Sequence, residues 1–243
     1  MKLLPRLTIA LLIIAGLIST ILLAQATSAQ TRSETVRSRA IRMKYDTGKI
    51  DGLRIIVYLV NGKNIVAVDP SREFTKGEQI KIEFESNFDG YVYFVNVPPS
   101  GKSAVIYPDP KGGESDNLIR ARQRYVLPHT GTFEFVEDEK GTEVVQVIMS
   151  REPIQVFEDS IRNSNGQLGE TVSSAAAELT GETRRSGIDT ESVSKVVPSG
   201  VRTRNVRLAP PRTKDEKGTV VAVPDTKLKP GEVAVFEIRL RRV

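Results

Sequence analysis

Leu53-Arg54-Ile55-Ile56-Val57-Tyr58-Leu59-Val60, then Asn61-Gly62, then Asn64-Ile65-Val66-Ala67-Val68, is the stretch on which the fold turns. Two runs rich in β-branched and aromatic side chains flank a pair that tolerates positive φ. This pattern predicts a β-hairpin with Asn61 and Gly62 at the centre of a type I′ turn. Further along, Ile80-Lys81-Ile82-Glu83-Phe84-Glu85-Ser86 alternates with period two, so Ile80, Ile82 and Phe84 face a core while Lys81, Glu83 and Glu85 face water. Asp89-Gly90 reads as the next turn, with Gly supplying positive φ and Asp bonding the local backbone. Tyr91 to Val97 is denser in apolar residues and predicts a central strand.

Further short strands are expected at Ser103–Tyr107, Arg124–Leu127, Thr132–Val136, Glu143–Met149, Thr219–Val223 and Val233–Leu240. On the last of these, Ala234, Phe236, Ile238 and Leu240 share the face expected to be buried. Roughly eight to ten strands with little helix predict an all-β fold, an antiparallel β-sandwich of immunoglobulin-like or related type. Between the strands, residues 159–199 are rich in Ser, Thr, Gly, Asn and Glu and read as a flexible polar insert. Only Val172–Leu179 offers a short helix there, so the insert is expected to be partly helical, with helix a minor component confined mainly to residues 156–180.

The start of the chain carries a different signal. Lys2 and Arg6 precede an uncharged apolar run from Leu7 to Ala24, and Ala24, Ala26 and Ala29 supply small residues for a peptidase. This layout predicts a secretory signal peptide over residues 1–26, the alternative being an uncleaved anchor. A polar, basic linker is expected over 27–51 and the β-domain over 52–243. The protein is accordingly expected in the periplasm or outside the cell, or held to the membrane facing outward. With no cysteine, neither a disulfide nor a cysteine-linked lipid can form. Of 35 basic residues, Lys2 and Arg6 belong to the leader, so the remainder exceeds the 30 acidic ones by only three. That balance, without Trp or basic–aromatic interleaving, does not point to nucleic acid.

The segment from Gly52 to Pro153 resembles the bacterial domain family of unknown function designated DUF4384. The resemblance is carried by Val68-Asp69-Pro70, Phe74 to Gly77, Phe84-Glu85-Ser86-Asn87, Asp89-Gly90-Tyr91-Val92-Tyr93 and Ile106-Tyr107-Pro108. Asp116-Asn117, Tyr125-Val126-Leu127-Pro128, Gly141-Thr142-Glu143 and Met149-Ser150-Arg151-Glu152-Pro153 complete it in the same order. Such domains occur in exported or membrane-linked proteins, sometimes beside kinase or protease modules. The resemblance implies an accessory β-domain and offers no catalytic residue to carry over.

Candidate chemistry is sparse. His129 is the single histidine, and no Gly-x-Ser-x-Gly elbow or phosphate-binding glycine loop accompanies it. Glu83 with Glu85, or the Glu137-Asp138-Glu139 group, could serve a carboxylate-dependent glycoside hydrolase, but both read more simply as solvated surface. Asp109, Glu114, Asp116 and Asn117, on a loop with Gly112 and Gly113, are candidate calcium ligands, although their spacing matches no EF-hand. No cofactor is indicated. The function expected from the sequence is that of an exported, non-catalytic accessory or interaction module of the bacterial envelope, binding a protein or an envelope polymer. A glycosidase-like enzyme and a small-ligand carrier are the alternatives.

Overall fold

The computed structural model describes residues 35–99, 103–109, 117–135, 141–163, 202–204, 206–209 and 218–243. The chain divides into two compact units, Met1–Ala40 and Ile41–Val243, and the second carries every described strand. These strands are β1 (Leu53–Asn61), β2 (Asn64–Ala67), β3 (Glu73–Phe74), β4 (Gln79–Ser86), β5 (Gly90–Val97), β6 (Ala104–Tyr107) and β7 (Leu118–Ile119). They continue with β8 (Arg124–Leu127), β9 (Phe133–Glu134), β10 (Gly141–Ser150), β11 (Arg202–Arg204), β12 (Val206–Ala209), β13 (Thr219–Pro224) and β14 (Glu232–Arg242). Helix α1 covers residues 35–46, and α2 is Gln155–Asn163.

Two sheets form, as the alternating runs predict. The first has the order β12-β13-β1-β4-β8, with β2 added to β1 and β9 to β4. The second has the order β11-β14-β10-β5-β6, with β3 added to β14 and β7 to β5. Their inner faces share one apolar core, built from residues such as Leu53, Ile55, Val57, Ile82 and Phe84 on one side and Val92, Phe94, Val147, Met149 and Phe236 on the other. Phe84 bridges the layers. Its ring lies 5.0 Å from both Phe94 and Tyr107 of the second sheet and stacks at 5.2 Å on Tyr125 of its own. Offset and edge-on aromatic pairs of this kind each add about 0.5–1.5 kcal/mol beyond the area they bury.

The C-terminal strand is placed as its alternation requires. β14 pairs antiparallel with β10 from Gly141–Arg242 to Ser150–Val233, putting Ala234, Phe236, Ile238 and Leu240 in the core. Tyr91–Val97 is interior too, flanked by β10 and β6, and its other face is also covered. There Phe157 and Ile154 of the α2 region pack on Tyr93, Ile148, Val233 and Val235.

Several expectations need correction. Residues 35–46, assigned to a polar linker, are helical, and the segment is anchored: Tyr45 and Ile50 are buried against Ala209, Val221 and Val223. Asn87 fastens it, donating to the carbonyls of Tyr45 (2.7 Å) and Ile50 (2.8 Å) and accepting from the Gly52 amide (2.8 Å). Few apolar residues are needed when an amide side chain makes three such bonds, so hydropathy gave no warning.

The β1–β2 hairpin exists, but Asn61 pairs with Asn64, which leaves Gly62 and Lys63 as the central residues. Of these only Gly62 has positive φ (58°), the signature of type II′ rather than type I′. At Asp89-Gly90 the reasons differ from those expected. Gly90 lacks positive φ; a Cβ there would lie 2.5 Å from the Ser150 carbonyl oxygen and 2.6 Å from the Phe88 ring. Asp89 Oδ1 accepts from the distant Ala121 amide at 2.8 Å.

The pairing is not wholly antiparallel, because β3 and β11 run parallel to β14. β11 and β12 fall where no strand was read. Helix α2 takes up residues 159–163 of the expected insert; Val172–Leu179 and the remainder to 199 lie outside the described residues.

Candidate binding face

The outer sides of the two sheets differ. The second sheet carries α2, whereas the first presents a row of polar and half-exposed apolar side chains. Strand register makes this face regular. Arg124 on β8, Glu85 on β4 and Arg54 on β1 stand opposite one another, and the next row is Val126, Glu83 and Ile56. Tyr58 then faces Lys81, and Val60 lies between Gln79 and Ile65. Opposite charges directly across neighbouring strands are favourable by a few tenths to about 1 kcal/mol.

Glu85 is the hub. Its Oε2 accepts from Arg54 at 2.7 Å, with Arg124 Nε at 3.8 Å, while Arg122 lies 3.7 Å from Oε1. The Tyr45 hydroxyl donates to both Oε1 (3.2 Å) and the Glu85 carbonyl (3.1 Å). Burial, reinforced by the Glu85 charge, raises the Tyr45 phenol and keeps it protonated as a donor. Tyr58 is raised in the same way, by burial first and then by Glu83, toward which its hydroxyl points at 3.4 Å.

Arg122 joins this cluster to α1. It adopts positive φ (65°), lays its guanidinium 5.0 Å above the Tyr45 ring and donates to the carbonyls of Tyr45 (3.2 Å) and Asp46 (2.8 Å) at the end of the helix. Cations are favoured at a helix C-terminus by the exposed carbonyls and the macrodipole.

The expectation that Glu83 and Glu85 are merely solvated is therefore corrected: their side chains are only 15% and 12% exposed. The alternation did put them outside the core, but it could not show that Arg54, Arg122, Arg124, Tyr45 and Tyr58 close around them. Around this network lie the exposed or half-exposed apolar residues Ile56, Val60, Ile65 and Val126. Aromatic, arginine and β-branched side chains mixed on a sheet face can bind another macromolecule through both apolar contact and paired hydrogen bonds.

The other candidates are dispersed. His129 is exposed in the bend after β8. Asn117 is buried under α2, its amide donating at 3.0 Å to Glu158, which also accepts from the Tyr93 hydroxyl. Asp109 is described, but Glu114 and Asp116 are not, and neither are Glu137, Asp138 and Glu139. Ala24, Ala26 and Ala29 likewise lie outside the described residues. Among the described residues no three His, Cys, Asp or Glu side chains are grouped to hold a metal, and no helix is long and apolar enough to cross a membrane.

Sheet architecture and open face together define a two-sheet β-sandwich module. Residues 73–153 match the family described as "Domain of unknown function (DUF4384)". The matched stretch holds β3 to β10 and stops just before α2. It does not complete the sandwich, because β1 sits between β4 and β13, and β14 pairs with β10. No curated protein and no solved structure matches the chain.

Proposed function

We propose that this protein is an exported, non-catalytic interaction module of the cell envelope, and that it captures a protein partner on the outer face of its first sheet. The observation carrying this reading is the contrast between the two outer faces: one is closed by α2, while on the other, beyond the β13 edge covered by Tyr45 and Ile50, the Arg124–Glu85–Arg54 row lies beside uncovered Ile56, Val126 and Ile65. The basic and apolar N-terminal layout supports export. On this face Glu83 and Glu85 act as recognition groups, with flanking arginines holding them in place. The partners Arg122 and Arg124 are 45% and 66% exposed, so solvent screens their pairing with the glutamates and each such pair adds little stability, commonly under about 1 kcal/mol.

Site-specific photocrosslinking in the native envelope tests the proposal. A crosslinker at Ile56 or Val126 is expected to yield one discrete protein adduct, and one at Asp159 on α2 none. Equal labelling from both faces would count against the binding face. A hydrolytic turnover abolished by Glu83→Gln or Glu85→Gln would replace the module with an enzyme.

A further inference from the structure

At one end of the sandwich the sheets part around a cleft of about 140 Å³ that opens to solvent. Its walls are apolar: Ile80, Ile82, Phe133 and Phe135 come from the first-sheet side, and Val145 and Leu240 from the second. Three polar residues also line it: Asn96 on β5 and Glu143 on β10 of the second sheet, and Glu134 on β9 of the first, whose carboxylate accepts from Gln79 at 3.2 Å. Asn96 and Glu143 have the parity of core residues. Asn96 alternates with the buried Val92 and Phe94, and Glu143 with the buried Val145 and Val147. Asn96 is paired with Val145, so Glu143 is its diagonal neighbour across the ladder.

Both side chains are half-buried, so their polar groups face the cleft while staying reachable from solvent. The Asn96 side-chain amide has no hydrogen-bond partner among the described residues. Glu143 is held by Arg242, which donates to Oε1 at 3.1 Å and stands 6.0 Å from the Phe135 ring. Carboxylate and amide oxygen are both acceptors, and side by side they suit a donor with several protons.

We infer that this cleft is a binding site for a small primary amine with an apolar body. Its ammonium would donate to Glu143 and to the Asn96 oxygen, and its body would fill the space between Ile80, Ile82 and Leu240. The size is apt, since an apolar cavity of roughly 150 Å³ accepts a benzene ring. The site is separate from the sheet face proposed to bind a macromolecule and does not depend on it.

The test titrates the purified full chain with benzylamine, benzyl alcohol and benzoate, following the methyl resonances of Ile80, Ile82 and Leu240. Benzylamine should give saturable shifts at those methyls, and the alcohol and the acid should bind at least tenfold more weakly. Glu143→Gln should weaken benzylamine about tenfold or more, the scale of a lost charge-assisted hydrogen bond. Should that variant fail to fold, Asn96→Ala carries the same test with an expected several-fold loss. The inference is overturned if benzylamine produces no saturable shift, if all three probes bind alike, or if the folded variants bind benzylamine as the parent does.

Discussion

Single residues explain how closely the sheets are fitted. Gly90 opens β5 where the chain passes against the Ser150 carbonyl and the Phe88 ring, and any Cβ would overlap both. Gly90→Ala should cost about 2 kcal/mol or more, since a rigid backbone atom must move. Gly62→Ala, at a turn with open space around it but positive φ, should cost only about 1 kcal/mol. Urea denaturation separates the two; equal losses would remove the distinction between crowding and backbone strain. Gln146 presents the opposite case. It is fully buried on β10, and among the described residues neither amide atom has a hydrogen-bond partner. Gln146→Leu should stabilise the protein by about 1–2 kcal/mol, because it removes an unsatisfied amide while keeping the shape. A rise in the denaturation midpoint checks this, and a fall would mean that the amide is needed. From the sequence, Gly90 was legible as a special position, though for the wrong reason: the clash is with Ser150, far along the chain. Gln146 was hidden inside a run that reads as wholly buried.

Among the elements, what was legible was whatever repeats with period two. β1, β4, β5, β10 and β14 each show a long alternating or continuous apolar run, and each lies where that run predicts. What was missed is held by features without period. α1 docks through Asn87 and Arg122, which bond helix-end carbonyls; α2 begins where helix was expected, but its docking through the Tyr93–Glu158–Asn117 contacts has no period to reveal it. β11 is three residues and β12 four, too short for a pattern to declare itself. The half-burial of Glu83 and Glu85 was illegible for the same reason, since it depends on side chains from α1, β1 and β8. The pairing of β14 leads to a further expectation. It lies between β11 and β10, and β3 also pairs with it. Removing residues 233–243 would expose the long edge of β10 and open the core where Phe236, Ile238 and Leu240 now lie. The truncated chain should fail to give a cooperative unfolding transition, or should aggregate. A truncation that melts like the parent would show that β14 is dispensable to the sandwich.

Under the proposed function, recognition falls on the open part of the first sheet's outer face, which gives a test that no single residue offers. The second sheet is buried on both sides, so truncation there leaves a void: Phe157→Ala removes a fully buried ring from the packing against Tyr93 and should cost about 3–5 kcal/mol. The first sheet is covered on its outer side only along β13, where Tyr45 and Ile50 pack on Val221 and Val223, and the β1–β4–β8 part of that side is open. Val126 is 37% exposed on its outer face, and Val126→Lys keeps strand pairing while placing a charge on that surface. Surface changes of this type fall within about 0.5 kcal/mol. If the outer face is the recognition surface, Val126→Lys should abolish the adduct captured from Ile56 and leave the melting temperature unchanged. Phe157→Ala should lower the melting temperature yet, below that temperature, preserve the adduct. Thermal unfolding and envelope crosslinking on the same two variants decide the matter. Loss of the adduct in Phe157→Ala while it is still folded, or its retention in Val126→Lys, would move the contact surface off the first sheet.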